Sequence, residues 1–575
     1  MANQRRKRRK RRKRLSPDER RARRIRRAHK KEIRSIFTTV GFERISSASD
    51  KEFTFQGTTS DFDDIFILEN IVALIEYTSA QESDISTHLK RKKILYDKIL
   101  DNTRDFIEFA SRQSSEFRSH RTEDYSPSQM KVVIVYCSVN SIKKSLKQEV
   151  PRVKYLDFQI SKYFNAVTNA IRQSARYEFL NFLGLAQNEI GENALSPSIA
   201  AHTSYSGSVL PEEHSHFRKG YKVVSFYVDP EALLSRCYVL RKDGWLDGNL
   251  YQRMIQKSKI EAIRKHLLEE RRVFINNIIV TLPNTTNLLD KNGRVLEFST
   301  LTRTGPVNIQ LPSEYNSVGL VDGQHRVFSY YEGGNNESII KNLRKRQNLL
   351  ATGIIYPPST STSERIKFEA GLFLEINANQ TNAKSDVKQA IGLLLHPFSP
   401  ESIAKQVVNR LNDDGPLSNQ FERYFFEKGK LKTTSVVSYG IRHIVKPYGE
   451  DSLFKTWNHR KKRRLAARKN SEVLAEYVQY CVDEINQFLG AVRTVLPKEK
   501  WTADKKRKGL LTTTNINGFI VCLRKIVEKR GVHKFGYYKA KLASLHEFDF
   551  SEYRSSQYGR MGEELYKQFF AGSRS

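Results

Sequence analysis

Residues 63–78 read Asp-Asp-Ile-Phe-Ile-Leu-Glu-Asn-Ile-Val-Ala-Leu-Ile-Glu-Tyr-Thr, two apolar runs around Glu69-Asn70. Neither run alternates with polar residues, so the pair reads as a hairpin buried on both faces. A two-residue turn fixes the register: Leu68 faces Ile71, and Asp63 faces Glu76. Directly opposed residues share a face, with Cβ atoms about 5 Å apart. Two carboxylates placed so repel unless a cation lies between them, and a divalent metal held by hard oxygen ligands meets that need. A turn one residue different pairs Asp64 with Glu76 instead, so the aspartate is Asp63 or Asp64.

Residues 84–100 read as a helix with Ile85, Leu89, Tyr96 and Ile99 on one stripe. Lys92 falls in the middle of that stripe and His88 at its edge. A cation on the docking face either snorkels past the sheet edge or serves the carboxylates. At this point residues 32–195 resemble the PD-(D/E)xK nuclease family. In that family an aspartate starts one strand, an acid ends its antiparallel neighbour, and a lysine follows two residues later. Asp63 (or Asp64) and Glu76 match; Thr78 stands where the lysine belongs, and Lys92 is the replacement from the helix. The segment 131–138 supplies a later buried strand. The resemblance implies catalytic Asp63, Asp64, Glu76 and Lys92, with Asp63, Asp64 and Glu76 holding Mg²⁺ or Mn²⁺ for phosphodiester hydrolysis. A DNA-binding relic without activity and a coincidence of acids are the other two readings.

The chain has 575 residues, enough for several domains, and 98 Lys and Arg against 63 Asp and Glu, a net +35. Such an excess calls for a polyanion: nucleic acid, or less often an anionic membrane surface. Residues 5–14 are ten consecutive cations, beginning Arg5, Arg6, Lys7, Arg8, Arg9, Lys10. Up to Lys31 the tail carries eighteen cations against Asp18 and Glu19, a net +16. Like charges at this density keep a segment disordered when alone, and residues 1–31 are read as a basic tail that grips DNA backbone without reading sequence. Within it Ser16-Pro17-Asp18-Glu19 is a helix start. Apolar runs reach about eight residues, too short for a bilayer, so no membrane partner is expected. No apolar stretch follows the early charges, as a secretory signal requires. Cys137, Cys237, Cys481 and Cys522 are scattered without a CxxC pair, which argues against a zinc site and suits a reducing, cytoplasmic (nucleoid-associated) setting.

Residues 202–220, rich in Ser, Gly and His, read as a linker, and residues 222–228 and 274–282 as strands. A helix is expected over 257–268. The apolar strand 317–321 runs into Asp322-Gly323-Gln324-His325-Arg326 and then a helix. Strand, glycine turn and helix N-terminus make an anion site, to which Arg326 adds donors and His325 a group titrating near neutrality. A plain turn with a satisfied histidine is the equally weighted alternative. Asp322–Arg326 is also the signature of the DGQHR family. Tyr251-Gln252-Arg253 upstream resembles that family too, as does Phe373–Thr381, read as a strand ending in a polar loop. Members resemble DndB and distantly ParB. The resemblance implies a pocket of Asp322, Gly323, Gln324, His325 and Arg326 facing Asn377, Asn379 and Gln380, for a nucleoside triphosphate or DNA.

Residues 401–575 are mainly helical by period. The basic runs 460–464 and 505–508 read as solvated surface before backbone contacts, and Trp457 and Trp501 as weak candidates for base stacking. The expected class is α/β (α+β) multidomain: a restriction-endonuclease-like domain (32–195), a ParB/DndB-like domain (205–400) and a helical region (401–575). The expected function is a DNA-acting, metal-dependent nuclease in prokaryotic DNA modification or phage defence, working with other proteins of such an operon. The alternative is a non-catalytic DNA-binding regulator or scaffold, and a weaker third is a nucleotide hydrolase centred on Arg326.

Overall fold

The computed structural model describes residues 16–80, 82–121, 124–195, 203–241, 245, 252–380, 385–424, 426–427, 429–503 and 509–571, without the side chains of 82–83, 378–380 and 459. Helix α1 (Pro17–Thr39) opens on a reciprocal cap. Ser16 Oγ accepts from Glu19 N at 3.1 Å, and the Glu19 carboxylate accepts from Ser16 N at 2.7 Å. Residues 17–31, counted with the tail by charge alone, are thus helical; residues 1–15 lie outside the described residues. The exposed half of α1 carries Arg20 to Arg27, while His29, Ile33, Ile36 and Phe37 are buried.

The strands in chain order are β1 (Glu43–Arg44), a small hairpin of β2 (Phe53–Phe55) and β3 (Thr58–Ser60), β4 (Asp64–Leu68), β5 (Ile71–Thr78), β6 (Lys131–Ser138) and β7 (Lys154–Leu156). They form a five-stranded sheet ordered β1-β4-β5-β6-β7, with β2-β3 apart. The β4-β5 hairpin turns at Glu69-Asn70 in the expected register, from Leu68 opposite Ile71 to Asp64 opposite Ile75. Glu69 takes the left-handed conformation at φ 52°, and buried Asn70 is tied by its side chain to Gln129 O, Glu189 O and Gly191 N. Strands β5 and β6 run parallel, so the chain crosses over between them, first through helix α2 (Glu82–Asp101).

Alternation along the strands sorts side chains to two faces. Ile65, Ile67, Val72, Leu74 and Ile134 pack with Ile85, Leu89 and Tyr96 of α2. On the other face Phe66 stacks on Phe37 of α1, with ring centroids 4.8 Å apart.

A second, eight-stranded sheet follows: β8 (Thr203–Leu210), β9 (Lys222–Val228), β10 (Cys237–Tyr238), β11 (Ile278–Leu282), β12 (Asn287–Leu289), β13 (Gly305–Leu311), β14 (Val318–Asp322) and β15 (Leu349–Ile355). Its order is β10-β14-β11-β15-β9-β8-β13-β12. The stretch read as a linker therefore contains a strand, β8, paired with both β9 and β13. Gly207 makes that pairing fit, since a Cβ there would lie 2.3 Å from Ser225 O.

Both sheets belong to one compact unit, Met1–Val239 with Ile255–Pro358; the second is Leu240–Met254 with Ser359–Ser575. The second unit is helical, with Ser471–Val495 and Thr513–Arg530 contributing Tyr477, Cys481, Ile485, Ile516, Phe519 and Leu523 to its core. Of Phe373–Thr381, expected as a strand ending in a polar loop, residues 373–380 instead continue the helix Thr362–Gln380, and Thr381 lies outside the described residues. That helix starts at Ser361, whose hydroxyl accepts from Glu364 N at 3.2 Å. Among the described residues no helix is long and apolar enough to cross a membrane.

Candidate active site

Face alternation brings Asp63 and Glu76 to the α2 side of the hairpin, at the end away from the Glu69-Asn70 turn. Glu76 is buried at 4% exposure in the last turn of pleat before Tyr77. Lys92, buried at 6%, reaches it from the middle of α2, with Nζ 2.7 Å from Glu76 Oε1. The same ammonium donates to Asp61 Oδ1 at 3.0 Å and to Asp61 O at 2.7 Å, so all three of its donors are used. Asp63 accepts from Tyr77 N at 2.8 Å on one oxygen and from Lys30 Nζ of α1 at 2.7 Å on the other. The structure therefore brings Asp63, Glu76 and Lys92 together and adds two residues that sequence reasoning missed, Lys30 and Asp61.

Asp64 is on the opposite face and is fully buried. Its Oδ2 accepts from Arg34 Nε at 2.7 Å and from the Tyr77 hydroxyl at 2.7 Å; its Oδ1 accepts from Arg44 Nε at 2.5 Å. Burial raises its pKa, and the bonds from Arg34, Tyr77 and Arg44 outweigh that, holding it below the ordinary carboxylate range. Two guanidinium groups and a phenol fill its lone pairs, so it ties β4 to α1 and β1. The expected three-carboxylate set of Asp63, Asp64 and Glu76 is thereby corrected to Asp63 with Glu76. Among the described residues no group of three His, Cys, Asp or Glu is placed to hold a metal ion.

Burial pushes the Glu76 pKa up to about 7; Lys92 works against this, while Asp63 and Asp61 add to it. His88 stands at the rim, with Nδ1 3.0 Å from the Tyr136 hydroxyl, and burial followed by Lys92 and Arg91 lowers its pKa. Thr78, at the position where the lysine is expected, accepts from Ala80 N at 3.1 Å and closes the strand end.

The second candidate, Asp322–Arg326, forms the expected strand, turn and helix. Gly323 has φ 98°, and a Cβ there would lie 2.6 Å from Ile278 Cγ2, so the turn excludes other residues. Arg326 Nη2 donates to Asn277 O at 2.8 Å and to Asp322 Oδ2 at 2.9 Å, which locks the turn onto β11. His325 Nε2 accepts from Gln256 N at 3.3 Å. The following helix, Gln324–Phe328, has five residues, so its dipole is slight; Arg326 bonds within the turn through Nη2, and its Nε is buried without a partner. Asn377 belongs to the second unit and donates to Phe373 O at 2.8 Å within its own helix. The side chains of Asn379 and Gln380, together with Tyr251 and residues 505–508, lie outside the described residues, as do Arg5, Arg6, Lys7, Arg8, Arg9 and Lys10. Trp457 and Trp501 are buried, at 7% and 9%, and Trp501 Nε1 donates to Pro416 O, so neither is a stacking platform.

Compared with protein-family models, with curated proteins and with solved structures, the chain matches none.

Proposed function

We propose that the chain is a DNA-directed, Mg²⁺- or Mn²⁺-dependent phosphodiester hydrolase of PD-(D/E)xK type, coupled to a DGQHR recognition or nucleotide-binding region and serving prokaryotic DNA modification or defence. The observation that carries this reading is the convergence of Asp63, Glu76 and Lys92, with Lys92 Nζ 2.7 Å from Glu76 Oε1. Hydrolysis joins a water oxygen to phosphorus, breaks one ester P–O bond and delivers a proton to the leaving oxygen. A metal on Asp63 and Glu76 would supply Lewis acidity and a more acidic water. Tyr77 N fixes the Asp63 carboxylate in advance. Glu76, kept ionised by such a metal, would hold the attacking water in place. Lys92, held in place by the Asp61 carbonyl, would offer its charge to the non-bridging oxygens of the five-coordinate transition state. The exposed cations Arg20 to Arg27 lead along α1 toward Lys30 at Asp63, a path for a phosphate backbone.

A second reading, a non-catalytic DNA-binding regulator or scaffold, is favoured by one feature: a lysine already neutralises each carboxylate, Lys30 on Asp63 and Lys92 on Glu76. Plasmid incubated with Mg²⁺ or Mn²⁺, with the wild type and with Glu76→Ala, separates the two. Metal-dependent cutting should fall by at least about a hundredfold in Glu76→Ala. Tight binding with no cutting of modified or unmodified DNA, with partner proteins present, would sink the hydrolase reading and leave the regulator.

A further inference from the structure

Within the first unit, away from Asp63 and Glu76, a cleft of about 500 Å³ opens between the helix Arg176–Leu183 and the second sheet. Its size lies in the small-ligand range of about 300–1,000 Å³. Tyr177 and Tyr315 line one wall, their rings 4.9 Å apart at 61° and both partly open to solvent. Arg236, Arg344 and Lys345 also line it.

The lining also holds Asp229, Glu231 and Glu332, but beneath it two buried arginines share one carboxylate. Arg344 is 2% exposed and Arg264 4% exposed, and both lean on one carboxylate, Glu337. Arg264 also donates from Nη1 and Nη2 to the carbonyls of Ser329, Tyr331 and Asn335, and its Nε is buried without a partner. Arg344 has fewer partners still: its Nε and Nη1 are buried and donate to nothing. Arg236, 9% exposed, donates to the neutral oxygens of Pro312, Ala232 and Thr203. A buried guanidinium that shares its one carboxylate and leaves two nitrogens unbonded is expensive to keep unless something anionic visits it. The acids nearby are engaged elsewhere: Asp229 accepts from the Tyr205 hydroxyl at 2.6 Å and from Ala232 N at 2.8 Å, and Glu332 accepts from Ser174.

We propose that this cleft binds a small phosphorylated ligand of the mononucleotide class, its phosphate toward Arg344, Arg236 and Lys345 and its base on Tyr177 and Tyr315. Guanidinium and ammonium donors suit phosphate oxygens, and a phenol wall suits a planar base. Glu231, exposed at the rim, lies 3.9 Å from Lys345 Nζ, a loose pair from which a phosphate would draw the lysine. This site is separate from the Asp322–Arg326 turn, where the arginine already serves the backbone.

Full-length protein titrated calorimetrically with nucleoside 5′-monophosphates, with nucleosides and with inorganic phosphate tests this. Saturable mononucleotide binding is expected, weaker by at least about tenfold for nucleoside and for phosphate. Arg344→Gln should weaken it by about tenfold or more. Lys345→Ala, at an exposed position that leaves folding intact, should weaken it about threefold. Tyr315→Ala should weaken nucleotide binding and leave phosphate binding unchanged. The proposal fails if no mononucleotide binds saturably, or if inorganic phosphate binds as tightly. It also fails if binding vanishes in Arg326→Ala yet is unchanged in Lys345→Ala. None of these readouts involves cleavage, so a failed hydrolase assay and a failed titration are distinct results.

Discussion

At the residue scale, Glu76 and Asp64 show how one strand pair gives two acids opposite fates. Glu76 has its folded pKa raised from 4.5 to about 7. A raised acid contributes stability that is fully present below the unfolded value and lost as pH climbs through the folded one. Between pH 5 and 8 the wild type should therefore lose up to roughly 3 kcal/mol relative to Glu76→Gln, read from urea midpoints across pH. Excess Mg²⁺ at pH 8 should return part of that loss if the ion joins Glu76. Asp64 behaves in the reverse sense, being ionised and paired. Asp64→Asn should destabilise by about 3 kcal/mol, because Arg34 and Arg44 lose their counter-charge, and it should lower the thermal midpoint without altering the pH profile of cutting. A variant as stable as the wild type would show that the ion pairs do not hold β4 in place.

At the element scale, the β4-β5 hairpin was readable because a two-residue turn and period-two alternation fix register without outside help. The place of Lys92 was readable for a similar reason, since helical period puts it on the docking face. What α1 brings was not: Lys30, Arg34 and the hairpin acids are some thirty residues apart in sequence, and only tertiary packing joins them. Asp64 and Asp63 looked equivalent because face assignment alone does not reveal which face carries arginines. The strand β8 was hidden by Ser and Gly, although Tyr205, Gly207 and Val209 alternate with Ser. The helix over 362–380 was missed although Ser361 and Glu364 spell a cap, because its apolar residues crowd together near Phe373 and imitate a strand. The turn before Gln324 was legible from Gly323 itself. Gly323→Ala should destabilise by more than about 1 kcal/mol, from positive φ and the Ile278 contact together, measurable by chemical denaturation. An unchanged midpoint would mean the turn relaxes freely.

At the scale of the whole molecule, positive charge is graded along the chain, densest in the first thirty residues and continuing down α1 to Lys30. Deleting residues 1–15 should flatten the dependence of DNA affinity on salt, by up to roughly nine logarithmic units of slope if all ten early cations meet phosphates. An unchanged slope would move the DNA contact elsewhere. The lysines on Asp63 and Glu76 have one more consequence. They act as resident counterions. If the chain is the proposed hydrolase, a DNA phosphate that drew Lys30 and Lys92 toward itself would release the carboxylates to a metal, and a metal would by reciprocity free the lysines for the backbone. On the proposed reading each ligand would then tighten the other's binding, whichever arrives first.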